Sequence, residues 1–438
     1  MKHTIFKKVR MDLLRRLICS FVGIALCIAS YAQRNVVYSP MLHTLQVIAN
    51  DDWMQQAVIN LESDEYVTVS FDYFSHDYHR FVCHLEHCNA DWQPSGLVQV
   101  DYMDGFNDRP IEWYHNSLNT TFLYTHYAVD FPNDDVSIKI SGNYRLIIYD
   151  EDADASSNAL LPQYKGYPVV AEACFRVVEP RVTVSAEVSS NTDIDTHELS
   201  QQVSFSINYN NYYIDLPERD LKVFVSQNDR PDMLVDNIQP TYINPGRLDY
   251  VHNRRLIFPG NNEYRRFEII NMYYGSQNVD KISFFDPYFH AELLTESKRR
   301  AYSFDSDHNG RFYIRYDLAE DTDYETDYVF VHFRLAAPYP CGGRLYVAGK
   351  FSNYVYSPEY EMKYNPDEEL YENTQLLKMG AYDYQFVFVP SGNNPAVSPV
   401  DGSFFETENE YTISVYHRPF GDRYDHLIAV EQIDFSQD

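Results

Sequence analysis

The hexapeptide Tyr66-Val67-Thr68-Val69-Ser70-Phe71 decides the fold class. Its apolar and hydroxyl-bearing side chains alternate, and in an extended strand successive side chains point to opposite faces of a sheet. Short segments of the same kind, bounded by Asn, Asp, Gly or Pro, recur at residues 144–149, 203–207, 221–225, 312–316 and 384–388. The 39 Tyr and 27 Phe also favour strands, and no long helical periodicity accompanies them. The sequence therefore predicts an all-β protein.

The division of the chain follows from its length and its linkers. A chain of 438 residues is too long for one hydrophobic core, and short strands with frequent turns favour β-sandwiches. Glu179-Pro180-Arg181 has the composition of a linker, and the acidic run 317–327 separates two strand-rich blocks. We expect a signal peptide followed by three consecutive β-sandwich domains, with bounds 1–32, 33–179, 180–318 and 319–438.

The first 32 residues predict export. A basic region, residues 1–16, precedes the apolar stretch 17–29, which has the length of the hydrophobic core of a signal peptide. Ser30-Tyr31-Ala32 then supplies small residues at the usual positions before a cleavage site. The alternatives are an uncleaved anchor and lipidation of Cys27, for which the preceding Leu26 is too bulky. We expect a cleaved signal peptide.

The charge of the chain restricts its partners. There are 35 Lys and Arg against 64 Asp and Glu, a net charge of −29 at pH 7, and removal of the basic signal peptide makes the protein still more acidic. Such a surface repels phosphate backbones and anionic lipid headgroups. We therefore expect no nucleic-acid binding and no direct lipid binding, and we favour basic protein surfaces as partners.

Two motifs resemble metal sites. In Cys83-His84-Leu85-Glu86-His87-Cys88, neighbouring side chains on a strand point to opposite faces, so four zinc ligands could not converge, and we favour a strand with mixed faces. Asp305-x-Asp307-x-Asn309-Gly310 begins like a calcium loop, but Tyr316 stands where a bidentate Glu is needed. We favour a hairpin turn between residues 302–304 and 312–314. Whether Cys83, Cys88, Cys174 and Cys341 form a disulfide stays open.

No catalytic signature accompanies these motifs. The sequence contains no Gly-x-Ser-x-Gly elbow, no phosphate-binding glycine loop and no dinucleotide fingerprint. With 64 acidic residues, a pair of carboxylates has no diagnostic value for a glycosidase. We expect a protein that is not an enzyme, has no catalytic residue and uses no cofactor or metal.

An ordered series of short motifs carries a resemblance to a known family. In the N-terminal part these are His87-Cys88-Asn89-Ala90-Asp91-Trp92, Tyr102-Met103-Asp104-Gly105-Phe106 and the segments 117–121, 124–127 and 141–144. The series continues at 343–351, 362–365, 378–384, 407–411 and 423–425. As a set it resembles the type IX secretion system plug proteins of the Bacteroidetes, over essentially the whole mature chain.

The resemblance implies a function for the three predicted sandwiches, which we expect to be immunoglobulin-like. Members of the family are periplasmic proteins that cap the periplasmic mouth of the outer-membrane translocon barrel while no substrate passes. We therefore expect a periplasmic protein, monomeric when free, that associates with the outer membrane only through its partner, the translocon barrel. The resemblance does not assign contact residues. From the aromatic and polar segment 104–116 we expect partner binding by Asp104, Phe106, Trp113 and Tyr114; a loop packed on its own domain is the alternative.

A second resemblance leaves a rival function open. Residues 345–354 resemble the start of the early-set immunoglobulin-like modules that bind starch, but Tyr354 stands where an exposed Trp is expected. We expect the C-terminal domain to share that early-set-like fold without its sugar site. A glycan-binding accessory protein and a carrier or chaperone for exported cargo are the alternative functions.

Overall fold

The structure is a computed structural model, and it describes residues 34–153, 160–274, 276–338, 342–392 and 396–435. The predicted signal peptide and Cys341 lie outside the described residues. The chain is nearly all β, with several antiparallel sheets packed as sandwiches, which confirms the predicted fold class. The described part contains three α-helices of four residues each, α1 Gln99–Tyr102, α2 Pro217–Asp220 and α3 Thr322–Glu325. None of these helices could span a bilayer.

The first sandwich contains thirteen strands. They are β1 Val36–Val37, β2 Leu42–Ala49, β3 Val58–Asn60, β4 Val67–Tyr73, β5 Phe81–Cys88, β6 Met103–Gly105, β7 Arg109–Pro110, β8 Trp113–Asn116, β9 Thr125–Phe131, β10 Val136–Ile138, β11 Gly142–Asp150, β12 Gln163–Tyr164 and β13 Tyr167–Val178. One sheet has the order β1-β13-β11-β5-β7, and the facing sheet has the order β2-β4-β9-β8. The inward side chains of both sheets, among them Phe71, Leu85 and Tyr127, form one core.

The second sandwich begins after residue 180. Its first strands are β14 Thr183–Ser189, β15 Ser200–Asn208, β16 Leu221–Gln227, β17 Leu234–Val235, β18 Tyr242–Asn244, β19 Arg247–Tyr250 and β20 Ile257–Pro259. The chain then builds the third sandwich with β21 Arg265–Ile269, β22 Val279–Phe285, β23 Tyr288–Leu293, β24 Glu296–Ser297, β25 Phe312–Ile314, β26 Tyr328–Ala336, β27 Gly343–Ala348, β28 Lys363–Asn365, β29 Leu370–Lys378 and β30 Gly380–Pro390. The last two strands are β31 Glu410–His417 and β32 His426–Asp434.

The predicted boundary at 318/319 is wrong, because strand pairing crosses it in both directions. β16 pairs along its whole length with β31, and β32 extends the same sheet. Conversely, β21 and β25 pair with β30. The second core accordingly contains Val223 and Ile413, and the third contains Phe267 and Phe386. The third sandwich is therefore inserted between β20 and β31 of the second.

Buried polar contacts join the three sandwiches. Between the first and third, Lys378 Nζ lies 2.7 Å from Asp72 Oδ2, and both side chains are buried. Between the first and second, Arg176 donates a hydrogen bond of 2.7 Å to Ser414 Oγ. A buried polar group must keep its partner, so these contacts hold the sandwiches in one arrangement.

Candidate protein-docking groove

Segment 104–116, predicted to bind the partner, runs from β6 to the end of β8 on the first sandwich. Gly105 ends β6 with φ +105°, and a Cβ at this position would overlap the carbonyl oxygen of Asp135. Only glycine therefore suits the turn that brings Phe106 to the surface, where 74% of it is exposed. Trp113 begins β8 and is 44% exposed.

Phe106 and Trp113 line the same groove, which has a volume of about 470 Å³. It lies beyond the start of β8, because Trp113, the first residue of β8, pairs with Ala128, whereas β9 continues to Phe131. The end of β9 is therefore not covered by β8, and the sandwich is open there between β9 and β5. Apolar side chains from both sheets, Cys83, Val129 and Phe131, line the groove there.

The rim of the groove is strongly acidic. Among the described residues that line it, one is basic, Arg109, and its guanidinium pairs with a rim carboxylate. Five exposed acidic side chains line the groove: Asp51, Glu112, Asp130, Asp135 and Asp323. The hydrogen bond from Tyr66 to Asp51, 2.6 Å long, raises the pKa of that phenol, since the bond favours its protonated form. The groove thus presents several carboxylates and a single compensated cation.

Asp104 and Tyr114 do not line the groove. The Asp104 carboxylate lies 3.2 Å from the Nζ of Lys139, which follows β10, the strand that pairs with β6. Tyr114 points to the other face of β8, where its ring stacks on Tyr127 at 5.8 Å. The structure therefore brings together two of the four side chains that the sequence singled out, and their role in partner binding stays a prediction.

The third sandwich contributes one residue to the groove, and sequence reasoning missed it. Asp323 lies in α3, within the acidic run that we had interpreted only as a boundary. Beside it, Tyr324 stacks on His115 at 4.7 Å, and the ring of Trp113 meets the edge of His126 at 5.6 Å. His126 Nδ1 in turn lies 2.6 Å from the buried Asp72. The groove is therefore supported by the contact between the first and third sandwiches.

The Cys-His cluster lies on β5 and is used for packing. His84 and Glu86 are partly exposed while Cys83, Leu85 and His87 are buried, which is the pattern expected of a strand with mixed faces. Burial lowers the pKa of His87 to about 4. Within the described ranges, no group of three or more His, Cys, Asp or Glu side chains could hold a metal ion. Cys83, Cys88 and Cys174 are free thiols.

The segment 305–310 forms a turn but not the predicted hairpin. Asn309 and Gly310 have φ of +53° and +82°, as a turn at this point requires. β25 pairs with β30, however, and residues 302–304 form no strand. The hairpin was therefore a wrong prediction, because the partner strand comes from a distant part of the chain. The Asp307 carboxylate accepts backbone hydrogen bonds from Tyr264 and Asn309, so its oxygens already have partners.

Tyr354 cannot serve a sugar site. Its ring is buried, with 1% exposed, and its hydroxyl lies 2.9 Å from that of Tyr264. The Arg230 guanidinium covers the ring, 5.0 Å from its centre. A sugar needs an exposed aromatic face to stack on, so the residue that the glycan-binding alternative requires is not accessible.

Comparisons with known proteins agree with this architecture. The family model described as "Type 9 secretion system plug protein 1st domain" matches residues 42–161, which include the groove residues Phe106 and Trp113. A crystal structure of a hypothetical protein from Parabacteroides merdae ATCC 43184 is 41% identical, covers 92% of this chain and 100% of its own, and superposes with a TM-score of 0.87. No curated protein matches the chain. Residues 42–161 belong to the type IX secretion system plug protein family, as its first domain.

Proposed function

We propose that this protein is the periplasmic plug of a type IX secretion translocon: it binds the periplasmic mouth of the outer-membrane barrel and blocks it while no substrate passes. The observation that carries the proposal is the match of the first sandwich to the plug family. Steric occlusion needs a body of suitable shape and no reactive group. Occlusion is therefore a non-catalytic role, and the family match also supports a non-catalytic role.

The joined sandwiches support this mechanism. A plug has to keep its shape while it fills an opening, and hinged domains would leave gaps. Here the third sandwich is inserted into the second, so two chain crossings connect them. The third is tied to the first through Asp72 and Lys378. The second is tied to the first through Ala90, whose backbone N–H donates to the Asp425 carboxylate at 3.0 Å.

The surface also suits reversible binding. A plug has to leave when a substrate arrives, so its interface should combine a few apolar anchors with a polar rim that water can replace. The groove has this composition, with exposed Phe106 and Trp113 beside carboxylates. The proposal places the protein in the periplasm after removal of the predicted signal peptide, monomeric when free and held at the outer membrane by its partner.

Affinity purification tests the proposal directly. The full-length protein, tagged at its C-terminus and expressed in its host, should recover a very large outer-membrane barrel after extraction in mild detergent. The control is the same tagged protein in a strain without the barrel gene. Recovery of polysaccharide alone, or of no envelope partner, would contradict the proposal. Recovery of exported substrates without the barrel would favour the carrier function.

A permeability assay tests occlusion itself. Deletion of the gene should make the outer membrane leak large dyes, and the leak should disappear when the barrel gene is deleted as well. Expression of the intact chain should restore the barrier. A leak that is independent of the barrel would show that the protein protects the envelope by another route.

A further inference from the structure

We infer that the groove on the first sandwich binds an arginine or lysine side chain of an extended basic segment, and that the backbone of this segment pairs with the open edge of β8. The identity of the partner rests on the proposed function, in which the segment belongs to the translocon barrel. The chemistry of the segment rests on the groove and the strand edge alone.

Charge selects the occupant. Of the five rim carboxylates, Asp135 pairs with Arg109, whereas Asp51 and Asp130 accept hydrogen bonds from neutral hydroxyl groups, those of Tyr66 and Thr68, at 2.6 Å each. These bonds leave the negative charge uncompensated. A cationic side chain would supply the missing charge, and an acidic segment would be repelled. A second copy of this chain is unsuited for the same reason, because its net charge is −29.

The apolar part of the groove selects a long side chain. Arginine and lysine carry an aliphatic stem that packs on apolar surface while the charged group stays in water. Cys83, Val129 and Phe131 lie along the groove to receive such a stem. Phe106 and Trp113 flank it, and aromatic faces attract a cation. A metal ion would use the carboxylates but not these apolar residues.

The edge of β8 offers the backbone contacts. β8 is the last strand of its sheet, and all four of its residues are exposed. Along an antiparallel strand, the backbone N–H and C=O groups of successive residues point alternately toward the partner strand and away from it. Ser117 N–H donates to Tyr124 C=O, so Ser117 faces β9. The backbone groups of Trp113 and His115 therefore also face β9, and those of Tyr114 and Asn116 face away. Further along the same edge, Leu118 N–H donates to Tyr324 C=O at 2.8 Å. An incoming segment could therefore continue this line of pairing.

The groove and the edge are adjacent. Trp113, the first residue of β8, and Glu112, which precedes it, both line the groove. A segment that pairs with Tyr114 and Asn116 would pass Glu112, and its alternate side chains would lie on the groove side of the sheet. Strand addition of this kind takes its affinity from backbone hydrogen bonds and its specificity from side-chain pockets.

Peptide binding by the full mature chain tests the inference. The probe is a rhodamine-labelled peptide in which arginine alternates with threonine, followed by fluorescence anisotropy at low salt. We expect saturable binding that weakens with added NaCl. Glu112→Lys should weaken it about tenfold, because it reverses a rim charge, and Phe106→Ala about threefold. The matched controls are Glu218→Lys and Phe420→Ala, exposed positions outside the groove, which should leave the affinity unchanged.

Two altered peptides complete the test. Replacing arginine by glutamate should abolish binding, and N-methylation of alternate backbone nitrogens should weaken it strongly, since it removes the donors that β8 requires. Equal binding of the glutamate peptide, or no effect of Glu112→Lys, would overturn the basic groove. Equal binding of the methylated peptide would overturn the strand pairing.

A crosslinking experiment separates this inference from the proposed function. A photoreactive p-benzoylphenylalanine in place of Phe106 should crosslink to the barrel in cells, and the same residue in place of Phe420 should not. If the barrel is recovered by affinity purification but position 106 gives no crosslink, the inference fails and the plug function stands. If the arginine peptide binds but no barrel is recovered, the groove chemistry stands and the plug function fails.

Discussion

Replacement of Asp72 by Asn should destabilise the contact between the first and third sandwiches. The carboxylate is fully buried and lies 2.7 Å from Lys378 Nζ, 2.6 Å from the Tyr328 hydroxyl and 2.6 Å from His126 Nδ1. An amide keeps the volume but leaves the Lys378 ammonium, 2% exposed, without its counter-charge. Removal of one partner of a buried ion pair costs about 3–5 kcal/mol, and we expect Asp72→Asn to lower the free energy of unfolding by this amount.

The pH dependence of unfolding gives a second readout of the same pair. Burial raises the pKa of Asp72, but the Lys378 ammonium and the hydrogen bond with His126 outweigh burial and leave the pKa below its ordinary value. The stabilisation from this carboxylate is therefore present above the pKa of the unfolded chain and is lost as the pH falls through the lower pKa of the folded protein. Asp72→Asn should remove that part of the acid sensitivity.

Urea unfolding followed by circular dichroism measures both effects. Asp130→Asn is the matched control, since Asp130 lies on the same face of the same sheet but is exposed, and it should change the free energy by less than about 0.5 kcal/mol. The double variant Asp72→Asn/Lys378→Met should recover about 1–3 kcal/mol relative to the sum of the single variants. A cost for Asp72→Asn below about 1 kcal/mol, or simple additivity, would refute the reasoning.

Three further predictions concern other parts of the molecule. Gly105→Val should lower the melting temperature and the affinity for the arginine peptide, because its Cβ overlaps the Asp135 carbonyl and displaces the turn. Gly96→Val, whose Cβ would lie in open space, should lower the melting temperature less. Tyr354→Phe should cost about 1 kcal/mol in urea unfolding through the lost bond to Tyr264, and glycan arrays should show no sugar binding for either protein. The mature chain with Cys341→Ser keeps three thiols, Cys83, Cys88 and Cys174, and burial raises the pKa of each. They should therefore react with a disulfide reagent at pH 8 only after unfolding; prompt reaction of the folded protein would contradict this.

The positions of the strands were easier to predict from the sequence than the pairing between strands. Five of the six residues of the alternating hexapeptide at 66–71 lie in β4, because alternation is a local property. The insertion of the third sandwich was not predictable, since nothing local in β31 states that it pairs with β16 rather than with a nearer strand. The acidic run 317–327 was predicted to separate two domains, and it does not do so in the structure. In space, its residue Asp323 lies against the first sandwich.

The candidate groove was predicted in part for the same reason. Phe106 and Trp113 lie in one aromatic segment, and exposed aromatic residues between turns indicate a contact surface. The rim residues Asp51, Asp130 and Asp323 come from three distant segments, and one acidic residue among 64 carries no signal of its own. Their convergence follows from the register of β8 on β9 and from the buried pair that seats the third sandwich.

The inserted third sandwich makes the order of synthesis matter. During synthesis from the N-terminus, the chain can complete the first sandwich, and then the third, before β31 and β32 are available. Until then β16 has no partner on the side that β31 covers, and the second core lacks the side chains of these strands, among them Ile413, Val415 and Ile428. Truncation before residue 410 should therefore leave the third sandwich intact and unfold the second. The second sandwich is therefore complete only when β31 and β32 have joined the sheet of β16.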